Sequence, residues 1–417
     1  MRIVLVNYHY FINGGPDRYF FNIRQALEEQ GHTVIPFCFD YAETRDTPYR
    51  HYFPPPITGP GPALFEQQRL SIRKRAQTLL SMFYNPTVNT AFRTVLHNET
   101  PDLVYMIYLS SSFLPNLIRI AKREFRLPVV YRLSDYHLFC ASYLFCRDGR
   151  VCTACRRTLW AAVKYRCVKG SRLISTARAM QIKLFRQCRY YDDVDRFICP
   201  TAFMRRLMIE SGYDEHKLLH IPTFAEDMKT SKEISSSDNN PQYILYCGNI
   251  TKEKGIEVLI NAYVRAATSL PLLLAGKYTP DYRSYLESLI PDTKKPMVKF
   301  TGLLETGALQ RIQSGARFIV HPALWYENSP NSVLEAMCLG KPVLAFDIGS
   351  MPELVRDGIN GKLIPAGDES TLTHALDEFS RSDLLSMGQQ SRKLYEQKFT
   401  KQHHLEQINR IFSELLS

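Results

Sequence analysis

The sequence lacks the features of a membrane-spanning or exported chain. No run of about 18 unbroken apolar residues occurs in its 417 residues, so we expect no transmembrane helix. Met1-Arg2 is followed at once by the apolar run Ile3 to Val6, which is typical of a buried strand and not of a signal peptide. We therefore expect a cytoplasmic protein whose ten cysteines are free thiols or metal ligands rather than disulfides.

Acidic residues are nearly missing from one segment. Lysine and arginine outnumber aspartate and glutamate by 52 to 41 over the whole chain, which gives a net charge of +11. Between Ala141 and Tyr190, twelve basic residues face a single acid, Asp148, so this segment alone accounts for the whole excess. A basic patch of this kind suits an anionic membrane, a phosphorylated substrate or nucleic acid.

What the sequence does contain is a repeated alternation of strands and helices. The apolar run Ile3 to Val6, the Gly14-Gly15 turn, helical spacing from Tyr19 to Gln30 and a second apolar run from Thr33 form one βαβ unit. The alternation stops at the polar stretch Ser231 to Asn240 and starts afresh at Tyr243. The pattern predicts an α/β protein with two Rossmann-like domains, whose parallel sheets face a central cleft.

The domain boundaries follow from this pattern. We assign residues 1–225 to an N-terminal Rossmann-like domain and 226–399 to a C-terminal Rossmann-like domain. The N-terminal domain carries a cysteine-rich basic insert at 140–170, which lacks strand or helix periodicity. A final helix at 400–417 is expected to cross back onto the N-terminal domain.

Two glycine turns are candidates for binding a phosphorylated ligand. Gly14-Gly15 and the segment from Gly248-Asn249 to Lys254-Gly255 each connect the first strand of a unit to its helix. Glycine lets the backbone approach a ligand closely, and the following helix N-terminus offers amide groups to an anion. Taken alone, each turn is equally consistent with a tight turn that binds nothing.

Two glutamates form a third candidate. Glu327 lies in a loop after an apolar strand, and Glu335 lies one helical turn into the next helix, so both can face the cleft. Asn331 and Ser332 place capping side chains and amides at the start of that helix, which suits a phosphate. Carboxylates also accept hydrogen bonds from sugar hydroxyls, although simple capping explains the same residues.

In this order and spacing the motifs resemble a family 4 retaining glycosyltransferase of the GT-B fold. The resemblance covers most of residues 241–366, and Gly14-Gly15 and Gly31-His32 match the family's N-terminal half. The matching positions in the C-terminal half are Gly248, Lys254-Gly255, Ala275-Gly276, Gly302, His321-Pro322, Glu327, Glu335-Ala336-Met337, Gly340-Lys341-Pro342, Gly349, Pro352-Glu353-Leu354 and Gly358 to Gly361.

The resemblance implies that residues 1–225 are the acceptor domain and 226–399 the nucleotide-sugar donor domain. It also implies a role for each matching residue. Glu327 would lie by the donor sugar, Glu335 would bind the nucleotide ribose, and Lys254 would contact the donor diphosphate. Where relatives often carry an arginine after the first glycine, this chain has Asn249, so one phosphate contact is absent or comes from elsewhere. Such enzymes usually retain the anomeric configuration without a metal ion, so no cofactor is expected for catalysis.

A second departure lies at Ser134-Asp135. Many relatives have a histidine before the aspartate, and this histidine touches the donor sugar, whereas this chain has Ser134 and places His137 two residues after Asp135. Asp135 either orients the acceptor hydroxyl, accepts its proton, or is a structural acid at a strand end.

The cysteine-rich insert predicts a structural metal. Cys140, Cys152, Cys155 and Cys167 follow the spacing C-x11-C-x2-C-x11-C, which suits a four-thiolate zinc site, while reduced cysteines packing a loop are the alternative. The segment is similar to an insert in a subset of bacterial family 4 enzymes that build surface polysaccharides. Its basic residues predict contact with an anionic membrane or an acceptor pyrophosphate.

Together these features predict a retaining hexosyltransferase at the inner face of the cell membrane. It would move a sugar from a nucleotide-sugar donor to a lipid-linked glycan acceptor in surface polysaccharide synthesis, with no nucleic acid as partner. Two alternatives remain: a sugar-nucleotide epimerase on the same fold, which needs no acceptor, and a zinc-bearing basic binding protein with a decayed transferase domain.

Overall fold

The computed structural model describes residues 1–56, 72–109, 115–228 and 243–417. Two six-stranded sheets dominate this part of the chain. The polar stretch Ser231 to Asn240, and the start of a helix predicted over Leu64 to Phe83, lie outside the described residues. The described strands are, in chain order, β1 (Arg2–Val6), β2 (Thr33–Phe37), β3 (Leu103–Met106), β4 (Val129–Arg132), β5 (Cys146–Arg147), β6 (Arg150–Val151), β7 (Arg196–Cys199), β8 (Leu218–His220), β9 (Tyr243–Cys247), β10 (Leu272–Ala275), β11 (Val298–Gly302), β12 (Ala316–His321), β13 (Val343–Phe346) and β14 (Gly361–Ile364).

Helices alternate with these strands along the chain. They are α1 (Gly15–Glu29), α2 (Ile72–Ser81), α3 (Pro86–Glu99), α4 (Asn116–Arg119), α5 (Ala154–Arg157), α6 (Trp160–Lys164), α7 (Arg172–Gln187), α8 (Ala202–Glu210), α9 (Ile256–Arg265), α10 (Pro280–Ser288), α11 (Thr306–Ser314), α12 (Asn331–Cys338), α13 (Met351–Leu354), α14 (Glu369–Arg381), α15 (Leu385–Lys398) and α16 (Lys401–Leu416).

Both large sheets are parallel throughout. The N-terminal sheet has the order β2-β1-β3-β4-β7-β8, and the C-terminal sheet has the order β11-β10-β9-β12-β13-β14. The chain therefore reverses its direction of winding next to β1 in the first sheet and next to β9 in the second. Ligands bind at such switch points, beyond the carboxyl ends of the strands. The predicted α/β fold with two parallel-sheet domains is confirmed.

Alternating side chains of β1 build two cores on opposite faces of the N-terminal sheet. Ile3 and Leu5 pack on the face covered by α1 and α16, whereas Val4 and Val6 pack on the face covered by α3. The strand is buried on both faces, which is why it is a continuous apolar run rather than an alternating one. Both faces must be covered, and this fixes the sheet in the middle of its domain.

The last helix, α16, packs against the N-terminal sheet. Leu405, Ile408, Ile411 and Phe412 belong to the same buried cluster as Ile3 and Leu5. A buried chain of hydrogen bonds runs alongside: the hydroxyls of Tyr105 and Tyr19 are 2.7 Å apart, and Tyr19 Oη is 2.7 Å from His404 Nε2. Because His404 Nδ1 lies 2.7 Å from the carbonyl oxygen of Pro222, Nδ1 carries the proton and Nε2 accepts from Tyr19.

The cysteine-rich insert is more ordered than its sequence indicates. It contains the antiparallel pair β5 and β6 and the short helices α5 and α6. These elements are two to five residues long, which is too short to produce a visible periodicity. The structure thus places short elements in a segment whose sequence shows no strand or helix periodicity.

Candidate active site

A cleft of about 740 Å³ lies between the carboxyl ends of the two sheets. We call its side formed by residues 1–225 the N-terminal wall and its side formed by residues 243–399 the C-terminal wall. The size suits a nucleotide sugar, since ligand sites of this class measure roughly 300–1,000 Å³. All of the predicted catalytic and donor-binding residues line this cleft: Gly14, Gly15, Asp135, Gly248, Asn249, Lys254, Glu327, Asn331, Ser332 and Glu335.

The C-terminal wall centres on the Glu327 carboxylate. Its Oε1 atom lies 2.5 Å from Lys254 Nζ and accepts a hydrogen bond of 2.9 Å from Trp325 Nε1. His321 Nε2 lies 3.4 Å from the same oxygen. The Lys254 ammonium also lies over the Trp325 ring, 4.9 Å from its centroid. Two hydrogen-bond donors, Lys254 and Trp325, thus converge on one carboxylate oxygen in the loop after β12, and the His321 ring lies beside it.

These neighbours decide the charge of Glu327. Burial alone would raise the pKa of this carboxyl, because a charged group loses hydration there. The positive charge of Lys254 and the His321 ring outweigh burial and hold the pKa at about 2. Glu327 is therefore ionised at neutral pH, and the loop that carries it is fixed by Ser350 Oγ, which donates to the Glu327 carbonyl oxygen at 2.6 Å.

A glycine is required next to Lys254 because two loops meet there. Gly255 has a φ of +69°, and a Cβ atom on it would lie 1.9 Å from the carbonyl oxygen of Pro322. Only glycine fits both the left-handed backbone and this close approach. This close approach of Gly255 to Pro322 holds the turn after β9 against the loop after β12, and it places Lys254 beside Glu327.

Glu335, in the second turn of α12, is held by side chains from two elements. Gln313 Nε2 donates to its Oε2 at 2.7 Å, and Arg18 Nη1 of α1 pairs with its Oε1. The Arg18 contact crosses the cleft and joins the two walls. Sequence reasoning missed Arg18, although its position in the first turn of the helix after Gly15 places it beside the glycine turn.

The Gly14-Gly15 turn is organised by a buried acid. Asp17 Oδ2 accepts the Gly14 amide at 3.0 Å, and Asp17 Oδ1 accepts from Asn7 Nδ2 at 2.9 Å. A Cβ atom on Gly15 would lie 3.8 Å from Asn331 Nδ2. The N-termini of α1 and α12 therefore meet across the cleft.

The capping prediction for α12 was wrong. Pro330 occupies the N-cap position, and no side chain caps the helix. Asn331 and Ser332 are the first two helical residues, so their side chains are not used as caps and only their position at the helix N-terminus agrees with the expectation. Asn249 lines the cleft, and its carbonyl oxygen accepts from Tyr246 Oη at 2.7 Å.

Asp135 follows β4 and faces the cleft from the N-terminal wall. Its Oδ1 accepts from the His137 amide at 2.9 Å and from the His137 ring nitrogen Nδ1. His137 Nε2 lies 2.9 Å from the Tyr131 hydroxyl, which must then be the donor. One carboxylate oxygen is thus committed to the fold, and the other is left for a ligand.

The four predicted zinc ligands lie outside the cleft. The thiols of Cys140 and Cys155 contact each other. This hydrogen bond lowers the pKa of Cys140 to about 6, and the same hydrogen bond, with burial, raises the pKa of Cys155. Burial raises the pKa of the Cys167 thiol, and the nearby thiols of Cys140 and Cys152 raise it further. Within the described residues, no three side chains are arranged as ligands of one ion. As placed, the four thiols do not fit a tetrahedral site, and zinc stays a prediction from the sequence.

The basic segment forms an exposed surface that also carries apolar groups. Leu173 is 65% exposed on α7, Trp160 is 57% exposed on α6, and Met180 and Leu184 continue the stripe on α7. Lys164, Arg172 and Lys183 flank it. Arg178, by contrast, is buried and does not belong to this surface. None of the helices in the described ranges combines the length and apolar character that crossing a bilayer requires.

Both halves of the chain match known protein families. Residues 14–223 match the family described as glycosyl transferase 4-like domain, and residues 241–382 match glycosyl transferases group 1. The first match alone spans half of the 417 residues. The two matched regions contain both glycine turns and both cleft glutamates.

Individual relatives are distant. The chain is 25% identical to phosphatidyl-myo-inositol mannosyltransferase of Mycobacterium leprae over 51% of this chain and 57% of that protein. It is 24% identical to O-antigen chain mannosyltransferase B of Escherichia coli over 42% of this chain and 56% of that protein. The matches thus span less than two thirds of these relatives' length. The crystal structure of Anabaena HepE with UDP and glucose shares the fold, with a TM-score of 0.66, 17% identity, and coverage of 99% of this chain and all of that one.

Proposed function

The chain belongs to the glycosyltransferases that carry a glycosyl transferase 4-like domain and a group 1 domain in the GT-B fold, and from this premise we propose a specific reaction. The protein transfers a hexose from a nucleoside diphosphate sugar to a lipid-linked glycan, with retention of the anomeric configuration. The observation that carries the proposal is the arrangement in one cleft of Lys254 with Glu327 and of Arg18 with Glu335, at two facing helix N-termini.

In this reaction each wall of the cleft has its own task. Glu335 accepts hydrogen bonds from the ribose hydroxyls, and Lys254 with the α12 N-terminus stabilises the diphosphate. Glu327 orients the donor sugar. Arg18 lies close to the Gly14-Gly15 turn and contributes the positive charge that Asn249 does not supply.

The chemical step breaks one bond and forms another. The bond from sugar C1 to the diphosphate oxygen breaks, and the diphosphate leaves with the electron pair. The acceptor hydroxyl, oriented by Asp135, forms the new bond to C1 from the face that the diphosphate leaves, and its proton passes to the departing oxygen. The largest contribution expected from such a site is the stabilisation of the negative charge that develops on the diphosphate.

The names of the relatives support the substrate class. One acts as a mannosyltransferase on phosphatidyl-myo-inositol, and another as a mannosyltransferase of O-antigen chains. Both names describe a hexose transferred to a glycolipid or a surface glycan. We extend this chemistry to the present chain, whose acceptor is then anchored in a membrane.

The exposed stripe on α6 and α7 supports a membrane position for the acceptor. Trp160, Leu173 and Met180 present apolar groups between basic residues, and each Lys or Arg near an anionic bilayer contributes about 1 kcal/mol. Flotation with liposomes containing anionic lipid tests this: the wild type should float, and Leu173→Ser with Met180→Ser should not. Leu385→Ser, at an equally exposed leucine of α15, is the matched control. Failure to float even at low salt would exclude the membrane contact.

Calorimetric titration with UDP, GDP and ADP, without divalent metal, tests the donor site. Binding of one nucleotide identifies the base and directs the search to its sugar conjugates; binding of none would contradict the proposal. Product analysis with the donor alone then separates a transferase, which leaves the sugar unchanged, from an epimerase, which converts it.

A further inference from the structure

Arg132, the last residue of β4, is a buried cation whose contacts are with neutral groups. Only 5% of the residue is exposed, yet it reaches the cleft. Its Nη1 donates to Ser134 Oγ at 2.9 Å, and its Nη2 donates to Thr223 Oγ1 at 2.8 Å. The guanidinium lies over the Tyr19 ring, 3.9 Å from the centroid. Its Nε is buried and has no hydrogen-bond partner within the described part of the chain.

Ser134 is committed to holding this guanidinium. The Ser134 hydroxyl donates to the carbonyl oxygen of Ile107 at 2.5 Å, so its lone pairs face Arg132. Tyr19 is fixed in turn by His404 and Tyr105. These contacts fix the position of the Arg132 guanidinium in the N-terminal wall, three residues before Asp135.

A cation in this position needs a counterion. No acidic side chain of the described residues forms an ion pair with Arg132, and a buried unpaired charge is strongly unfavourable. Two part-buried cations of the cleft differ: Lys254 pairs with Glu327, and Arg18 pairs with Glu335. Arginine stays protonated even when buried, so the charge persists without a ligand.

We propose that Arg132 binds an oxyanion of a ligand, a phosphate or a carboxylate, at the base of the N-terminal wall. The anion belongs either to the acceptor or to the donor diphosphate. Each Nη atom of Arg132 keeps one N–H that Ser134 and Thr223 do not use, and these N–H groups can bind the oxygens of such an anion. The proposal rests on the proposed function in one respect only, namely that the cleft holds the substrates.

Two titrations distinguish the sources of the anion. The first measures the Kd of UDP, GDP and ADP for the wild type and for Arg132→Gln. The second measures the Kd of inorganic phosphate and of glucuronate, on protein saturated with whichever nucleotide binds, or on free protein if none does. We expect Arg132→Gln to weaken binding at least tenfold in the second titration, which assigns the anion to the acceptor. A tenfold loss in the first titration instead assigns it to the donor.

Thermal unfolding separates this role from a structural one. Arg132→Met removes the unpaired charge, so we expect the ligand-free variant to melt at or above the wild-type temperature, and to lose the increase that phosphate produces in the wild type. Unchanged Kd values in both titrations, no anion binding by the wild type, or a lower melting temperature with unchanged affinity would overturn the proposal. A failed nucleotide titration contradicts the proposed function, while the anion titration on free protein still tests Arg132.

Discussion

The two walls of the cleft differ in how their charges are compensated. On the C-terminal wall, Lys254 lies 2.5 Å from Glu327, and this carboxyl stays ionised because its neighbours hold its pKa at about 2. On the N-terminal wall, Arg132 has hydroxyl and ring partners but no carboxylate partner among the described residues. The C-terminal wall is complete without a ligand, whereas the N-terminal wall gains its counterion when substrate binds.

This difference determines which protein contacts a ligand must displace at each wall in the proposed reaction. A nucleotide diphosphate arriving at the C-terminal wall must compete with Glu327 for Lys254 and with Arg18 for Glu335. An anion arriving at the N-terminal wall displaces no protein group from Arg132. The first exchange favours selectivity, since only a ligand that replaces both pairs binds well, and the second favours affinity.

The largest expected effect comes from breaking the centre of the C-terminal wall. Glu327→Gln should lower transfer at least about 100-fold, because the group that orients the donor sugar loses its charge. It should also destabilise the protein by roughly 3–5 kcal/mol, because Lys254 is left partly buried without its partner. Turnover is measured with the nucleotide sugar identified by calorimetry, and stability by denaturant unfolding.

A second variant separates these two effects. Adding Lys254→Met to Glu327→Gln should restore stability without restoring transfer. Glu253→Gln, which also lines the cleft, is the control and should be nearly neutral. Near-normal turnover of Glu327→Gln would exclude a catalytic role for this residue.

The next effect concerns the diphosphate. Lys254→Met should weaken nucleoside diphosphate binding roughly 10- to 100-fold, the range expected for losing a charge-assisted hydrogen bond. The affinity for the free nucleoside should not change, because it carries no phosphate. Lys252→Met, two residues away and exposed, is the matched control. An equal loss for nucleoside and diphosphate would place Lys254 outside the phosphate site.

The C-terminal wall was also the more predictable of the two. Glu327 and Glu335 lie in the loop and the helix that follow β12, and Lys254 lies in the turn after β9, so the parallel sheet brings them to one edge. Their positions in the cleft could be expected from the strand pattern together with the family resemblance. Their individual roles stay predictions until the variants are measured.

The contacts that sequence reasoning missed depend on long-range packing. Arg18 reaches Glu335 across 317 positions of sequence, and Gln313 approaches the same carboxylate from α11. The error at α12 was local: Pro330 takes the N-cap position, so Asn331 and Ser332 move one place into the helix. The insert at 140–170 shows no periodicity in its sequence because its strands and helices are only two to five residues long.

Acidification should first weaken the packing of α16 against the N-terminal sheet, because His404 on this helix is buried in its neutral form. Burial, with a smaller effect of the Arg132 charge, lowers the pKa of His404 to about 3. Between that value and the unfolded pKa near 6.5, the unfolded chain binds a proton that the folded chain does not, so stability falls as pH falls. His404 should account for about 2 kcal/mol of the stability lost between pH 7 and pH 5.

His404→Gln isolates this contribution because glutamine keeps a donor for the Pro222 carbonyl and an acceptor for Tyr19 but does not titrate. The difference in unfolding free energy between wild type and variant should narrow from pH 7 to pH 5. Glu327 contributes in a lower window, because a lowered carboxyl pKa adds stability that is lost only as pH falls from about 4.5 towards 2. An equal pH dependence of the two proteins would show that His404 is not buried in its neutral form.

The smallest effect tests the ion pair that joins the two walls. Arg18→Gln frees Glu335 from its partner across the cleft, so nucleoside affinity should rise about threefold, the range expected for a partly exposed ion pair. The extra affinity that the diphosphate adds should fall, because Arg18 no longer contributes its charge. Arg24→Gln, which removes an ion pair with Glu28 on the same helix, is the control. If nucleoside affinity fell instead, Arg18 would hold Glu335 in the binding geometry, and the walls would act as one preformed site.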